Sequence, residues 1–193
     1  MNRNQKSSTI ATLAIFFAVM LVIHLLSSII FNVLPVPIKP TLIHIPVIVA
    51  SIIYGPKIGA SLGLFMGIIS VVTNTVVQLP TSYLFSPFVD NGNFYSLIIA
   101  IVPRVLIGIT PYFIYKWTKR TGKFGLLLSG AIGSMTNTVF VLGGIFILFA
   151  NLYNGNIQAL LAVILGTNAI AEMLISAFLT LAIVPTLQKI KLH

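Results

Sequence analysis

From Thr9 to Phe31 the chain offers almost nothing that water would hold, and stretches of the same kind recur to its end. A helix of ~20 apolar residues reaches across the hydrocarbon core of a bilayer. Inside lipid every backbone polar group must be paired within the segment, so a lone stretch of this kind is helical. The repetition therefore predicts an all-α integral membrane protein. Only 7% of residues are charged and 58% are hydrophobic, too little polarity to clothe a soluble globule.

Turn signals divide the chain into six predicted spans. Span 1 is Thr9 to Phe31, with no small-residue cleavage site of a signal peptide. A loop with three prolines, NVLPVPIKPTL, leads to a short span 2, Ile45 to Tyr54, which ends at Gly55-Pro56-Lys57. Span 3 covers Ile58 to Leu79, and span 4 covers Leu97 to Tyr115. The polar segment from Pro80 to Ser96 lies between them. Spans 5 and 6 are Gly125 to Ala150 and Ile157 to Pro185. Ten apolar residues do not cross a bilayer alone, so span 2 either extends back through Pro40 or crosses irregularly against protein.

The net charge of +9 comes from 11 Lys and Arg against Asp90 and Glu172. No basic stripe with interleaved aromatics exists, so nucleic acid is excluded as a partner and the lipid bilayer takes its place. With the N-terminus inside, Arg3, Lys6, Lys57, Lys116, Lys119, Arg120, Lys123, Lys189 and Lys191 fall on the cytoplasmic side and only Lys39 outside. That bias calls for an even number of crossings and predicts six transmembrane helices with both termini cytoplasmic, in one domain over residues 1–193.

Small residues recur at helical spacing. Gly59, Gly63 and Gly67 lie on one face of span 3, and Ala11, Ala14 and Ala18 on one face of span 1. Such stripes let backbones approach closely, within one chain or between chains. The tetrapeptide Thr-Asn-Thr-Val occurs at Thr73–Val76 and at Thr136–Val139 and places an Asn at membrane depth twice.

Polar groups inside apolar spans are costly and so point to function. Arg104 keeps its charge and sits ~12 Å below the outer surface, in a helix expected to break at Pro103, which frees a backbone carbonyl nearby. It either grips the carboxylate of an incoming ligand or pairs with Glu172. Asn168 and Glu172 share a face of span 6; Asn74, Asn137 and His24 add amides and an imidazole. Together they suggest a small polar pocket open to the outside. Tyr83, Phe85, Phe88, Phe94 and Tyr95 are either an interfacial belt or a lid over it. The sequence contains no Cys, no GxxxxGK[ST] phosphate loop and no HExxH, and shows no catalytic set, metal site or cofactor site. Binding and transport fit; enzymatic chemistry does not.

Several segments resemble the substrate-binding (S) components of energy-coupling factor (ECF) vitamin transporters. His44-Ile-Pro-Val-Ile-Val-Ala50 followed by Tyr54-Gly-Pro-Lys-Ile-Gly59 is similar to that family's second and third helices. Phe85-Ser-Pro-Phe88 and Pro103-Arg-Val-Leu-Ile-Gly108 resemble the loop and fourth helix of one branch. Ala14-Ile-Phe-Phe-Ala18 resembles the motif by which the first helix meets the shared membrane subunit. The resemblance implies a prokaryotic cell-membrane protein that captures a vitamin from outside. It implies partners too: an ECF transmembrane coupling subunit and two ATPase subunits. The expected binding residues are Arg104, Asn137, Asn168, Asn74, Glu172, His24 and Tyr83. The expected partner face is Ala11, Ala14 and Ala18. Arg104 with several Asn suits pantothenate first. A hydroxymethylpyrimidine, pyridoxine or riboflavin ligand remains open. So do a ligand-free structural membrane protein and an autonomous ion-coupled carrier.

Overall fold

A computed structural model describes residues 3–33, 42–149 and 155–191, with side chains over 7–30, 42–149 and 168–190. The described residues form seven α-helices and two short 3-10 turns, with no strand among them. In order these are α1 (Arg3–Val33), α2 (His44–Tyr54), α3 (Pro56–Val76), α4 (Phe94–Ile107), α5 (Thr110–Thr118), α6 (Lys123–Leu148) and α7 (Gly155–Lys191). Five stretches are long and apolar enough to cross a membrane: Ser7–Ile30, Pro56–Val76, Phe94–Thr121, Lys123–Leu148 and Asn168–Ile190. The proline-rich loop before α2 and the turn after Ala150 lie outside the described residues, as does Lys39.

Two boundaries differ from the sequence reading. Span 4 is two helices: α4 continues through Pro103, and the break comes later, at Gly108 and Ile109. Pro111, in the first turn of α5, has no N–H to extend the ladder from α4, and proline is well placed at a helix start. Span 6 does not stop at Pro185 but runs on to Lys191. A proline costs a membrane helix one backbone bond, and neighbouring groups readily compensate.

The short α2 is the centre of the bundle. Ten of its residues, His44 to Ile53, are buried. Seven of them (Ile45, Val47, Ile48, Val49, Ala50, Ile52 and Ile53) form one cluster with Met20, Leu62, Met66, Ile107, Leu126 and Val184 from the surrounding helices. Lipid tails compete on equal terms for apolar side chains, so close packing and hydrogen bonds must hold such a core. One such bond is His44 Nε2 to Ser176 Oγ, 2.7 Å long and buried, which ties the start of α2 to α7. Gly55, with φ +95°, makes the reversal from α2 into α3 in a conformation other residues rarely adopt.

Helices α3 and α4 cross unusually closely, and the glycine stripe is the reason. Gly59 faces Gly108, Gly63 faces the backbone of Arg104, and Gly67 faces Ala100. Both sets are spaced by four, so the helices meet along a seam. The stripe thus packs inside the chain. The alanine stripe behaves differently: Ala11, Ala14 and Ala18 are exposed on α1, and only 6% of that helix's most apolar window is buried.

Candidate functional site

A cavity of about 310 Å³ lies among α1, α3, α4, α6 and α7. Its polar wall combines His24 from α1, Ser70, Thr73 and Asn74 from α3, Arg104 from α4, Asn137 and Thr138 from α6, and Asn168 and Glu172 from α7. Ile43, Met66, Ile69, Val141 and Leu142 supply apolar surface. Six of the seven residues expected from the sequence thus face one space. Tyr83 does not: its ring packs edge-on against Phe149 at 6.0 Å, in a separate apolar cluster with Leu84, Ile99 and Ile145.

The loop from Pro80 to Ser96 is a built structure held by serines. Ser82 Oγ accepts from the Leu79 amide at 2.9 Å and donates toward Asn74 Oδ1 at 3.1 Å. Ser86 Oγ bonds Thr75 Oγ1 at 2.7 Å. Asn93 and Ser96 form a reciprocal capping box that starts α4, and Ser96 Oγ also donates to the Tyr83 carbonyl. Fastened in this way, the loop sets the Phe85 ring on the cavity wall, 5.1 Å from the guanidinium carbon of Arg104. That distance is within the range of a cation–π contact.

The two Thr-Asn-Thr-Val segments play unequal parts. Asn74 is engaged on both sides, since its Nδ2 donates to the Ser70 carbonyl at 2.8 Å and its Oδ1 receives Ser82. Its neighbour Thr73 meets His24 Nε2 at 3.4 Å, joining α3 to α1. In the second segment Asn137 Oδ1 is buried with no hydrogen-bond partner among the described residues.

Arg104 is the cation of the cavity. Its Nη1 donates to the Ile99 carbonyl at 2.8 Å, while its Nε–H is buried and has no partner among the described residues. Glu172, 6% exposed, lines the same cavity and acts electrostatically on Arg104. Charge and shape together suit a small ligand with an anionic group and hydrogen-bonding groups along its length. The sequence reading missed Ser70, Thr73 and Thr138 as lining residues. Thr73 and Thr138 flank the Asn of the repeated tetrapeptide, and Ser70 lies one turn before Asn74, so the repeat carried a usable signal. The apolar lining residues carried none.

A helical bundle with five helices of membrane-spanning length around a cavity that carries polar side chains is the architecture of a binding component of a transporter. The sequence matches the family described as ECF transporter, substrate-specific component, over residues 8–184, and the chain belongs to that family. It is a transport protein and not an enzyme. Its relatives include the pantothenic acid transporter PanT of Lactococcus lactis subsp. cremoris (strain MG1363), to which it is 46% identical over 192 residues, covering 97% of each protein.

Proposed function

We propose that this chain binds pantothenate in the cavity and that Arg104 holds the vitamin's carboxylate. One observation carries the reading. Arg104 is the cationic side chain on the cavity wall, held by a neutral carbonyl, and Ser70, Asn74, Asn137 and Asn168 line the same space. A cation beside amides and a hydroxyl favours a ligand with an anionic group and hydrogen-bonding groups along its length. Pantothenate offers a carboxylate at one end and hydroxyl and amide donors along the rest. The volume of about 310 Å³ is at the small end of ligand pockets and disfavours a three-ring vitamin such as riboflavin. The name of the Lactococcus relative points the same way.

The proposal extends to topology and partners. The short α2 and the kinked α4–α5 pair each count as one crossing, giving six with both termini cytoplasmic. The chain is then a single transmembrane substrate-binding domain over residues 1–193, in the cell membrane. The exposed basic residues Lys57, Lys116, Lys119, Arg120 and Lys123 at the α2–α3 and α5–α6 turns support this orientation. The vitamin enters from outside. The exposed Ala11, Ala14 and Ala18 face docks the transmembrane coupling subunit, and two ATPase subunits drive release inward.

The test is a radiolabelled vitamin panel on the full chain, with Arg104→Ala and Arg104→Lys beside wild type. Removing one partner of a buried charge pair costs ~2–5 kcal/mol, so Arg104→Ala should weaken pantothenate binding by roughly 30-fold to several thousand-fold. Lysine should recover only part, because an ammonium lacks the planar fork. Unchanged affinity in Arg104→Ala, or tighter binding of pyridoxine or riboflavin to wild type, overturns the reading.

A further inference from the structure

Pro103 is a buried residue inside α4 that lines no part of the cavity. An ordinary residue at position 103 would donate its amide hydrogen to the carbonyl four residues earlier, which is that of Ile99. Proline has no such hydrogen, so the Ile99 carbonyl has no helical partner. In the structure that carbonyl accepts from Nη1 of Arg104 at 2.8 Å. The guanidinium occupies the place of the missing amide.

We infer that Pro103 is a positioning residue for the anion specificity of the cavity: by withholding its amide it creates the acceptor that orients Arg104. The inference rests on Arg104 meeting the ligand's carboxylate, as proposed above.

Three observations bear on it together. A long arginine side chain has much rotamer freedom to lose, and a charge-assisted hydrogen bond to a fixed backbone oxygen removes much of it beforehand. The Phe85 ring, 5.1 Å from the guanidinium carbon, limits the same group from the loop side. The backbone beneath is fixed as well, since α3 meets the Arg104 peptide directly at Gly63. One Arg104 N–H is used in this anchoring, and Arg104 lines the cavity. The arrangement restrains the side chain through a neutral carbonyl.

The experiment compares pantothenate with its alcohol counterpart, in which a CH2OH group replaces the carboxylate, on the full chain in lipid nanodiscs. Wild type should prefer pantothenate. Pro103→Ala restores an amide hydrogen that competes for the Ile99 carbonyl. It should lower pantothenate affinity about tenfold or more with little change for the alcohol, so that the preference collapses. Lactate at position 103, which has neither the ring nor the amide hydrogen, should keep the wild-type preference. If the alanine variant fails to fold, Pro103→Val restores the same amide with more of proline's volume and takes its place. A preference unchanged by restoring the amide, or an equal loss for both ligands, overturns the inference. A second arm needs no ligand: the 13C resonance of the Ile99 carbonyl should shift in Arg104→Gln relative to wild type. No shift there sinks the positioning role by itself. Lack of preference in wild type, with the shift present, instead sinks the carboxylate reading and leaves the anchor standing.

Discussion

Replacing Gly63 by alanine adds one methyl group where the structure has no room for it. A Cβ at that position would lie 2.8 Å from the carbonyl carbon of Arg104 and 3.0 Å from Cα of Val105, with the Arg104 carbonyl oxygen closer still. All three are backbone atoms, so no rotamer change relieves the clash. Ordinary contact begins at 3.4 Å and the carbonyl oxygen is the nearest of the three, so α3 and α4 must separate by about 1 Å or more. Overpacking of this kind costs ~1–3 kcal/mol, against ~1 kcal/mol that alanine gains over glycine in a helix. The net expectation is a loss of about 1 kcal/mol in stability. A binding group has to be held within ~0.5 Å of its productive position, so the displaced Arg104 should also lose roughly tenfold in pantothenate affinity. Gly143→Ala is the internal control, because nothing lies within 4 Å of a Cβ there. Thermal unfolding and vitamin binding, measured for both variants in the same nanodiscs, separate the outcomes. A Gly63→Ala protein as stable and as tight-binding as Gly143→Ala would refute the claim that the α3–α4 seam sets the position of Arg104.

Ala14→Trp places a bulky ring on an exposed face of α1. It should leave vitamin binding by the isolated chain within about twofold of wild type while uptake in cells fails. Loss of binding together with uptake would assign Ala14 to the bundle instead of to a partner. Single cysteines at Asn91 and Lys119 should react with impermeant reagents from opposite sides of intact cells, Asn91 from outside. Labelling of both from outside would rule out the six-crossing topology.

The parts of this molecule that were legible in its sequence share one physical origin: lipid makes polarity expensive. The helices stood out because their apolar lengths match a membrane. Arg104, Asn137, Asn168, Glu172, His24 and Asn74 stood out because nothing but a partner or a ligand justifies such groups among leucines and isoleucines. The carbonyl freed by Pro103 could also be named in advance, since the loss of an amide is local chemistry. What stayed hidden depends on where helices meet. The Gly59–Gly63–Gly67 stripe announced a close approach, yet not that Arg104 would be its other side. Tyr83 and Phe85 are two residues apart on the same loop; the serine bonds of that loop send one ring to Phe149 and the other to the cavity. Nor do residues 97–115 reveal that the break comes at Gly108 and Ile109, because Pro103 and Pro111 are equal candidates until neighbours are known.

The burial of α2 has a consequence for how the protein is made. Its 11 residues extend only about 16 Å, roughly half of a hydrocarbon core, so α2 has no stable membrane position of its own. Its final neighbours include α7, and the hydrogen bond from His44 to Ser176 cannot form until the ribosome has added the last helix. At ~5–20 residues per second that interval lasts from several seconds to tens of seconds. Throughout it, the innermost helix of the finished bundle is the segment least able to stay in the membrane. The packing of α2 against α7 is therefore completed only after the last helix has been made.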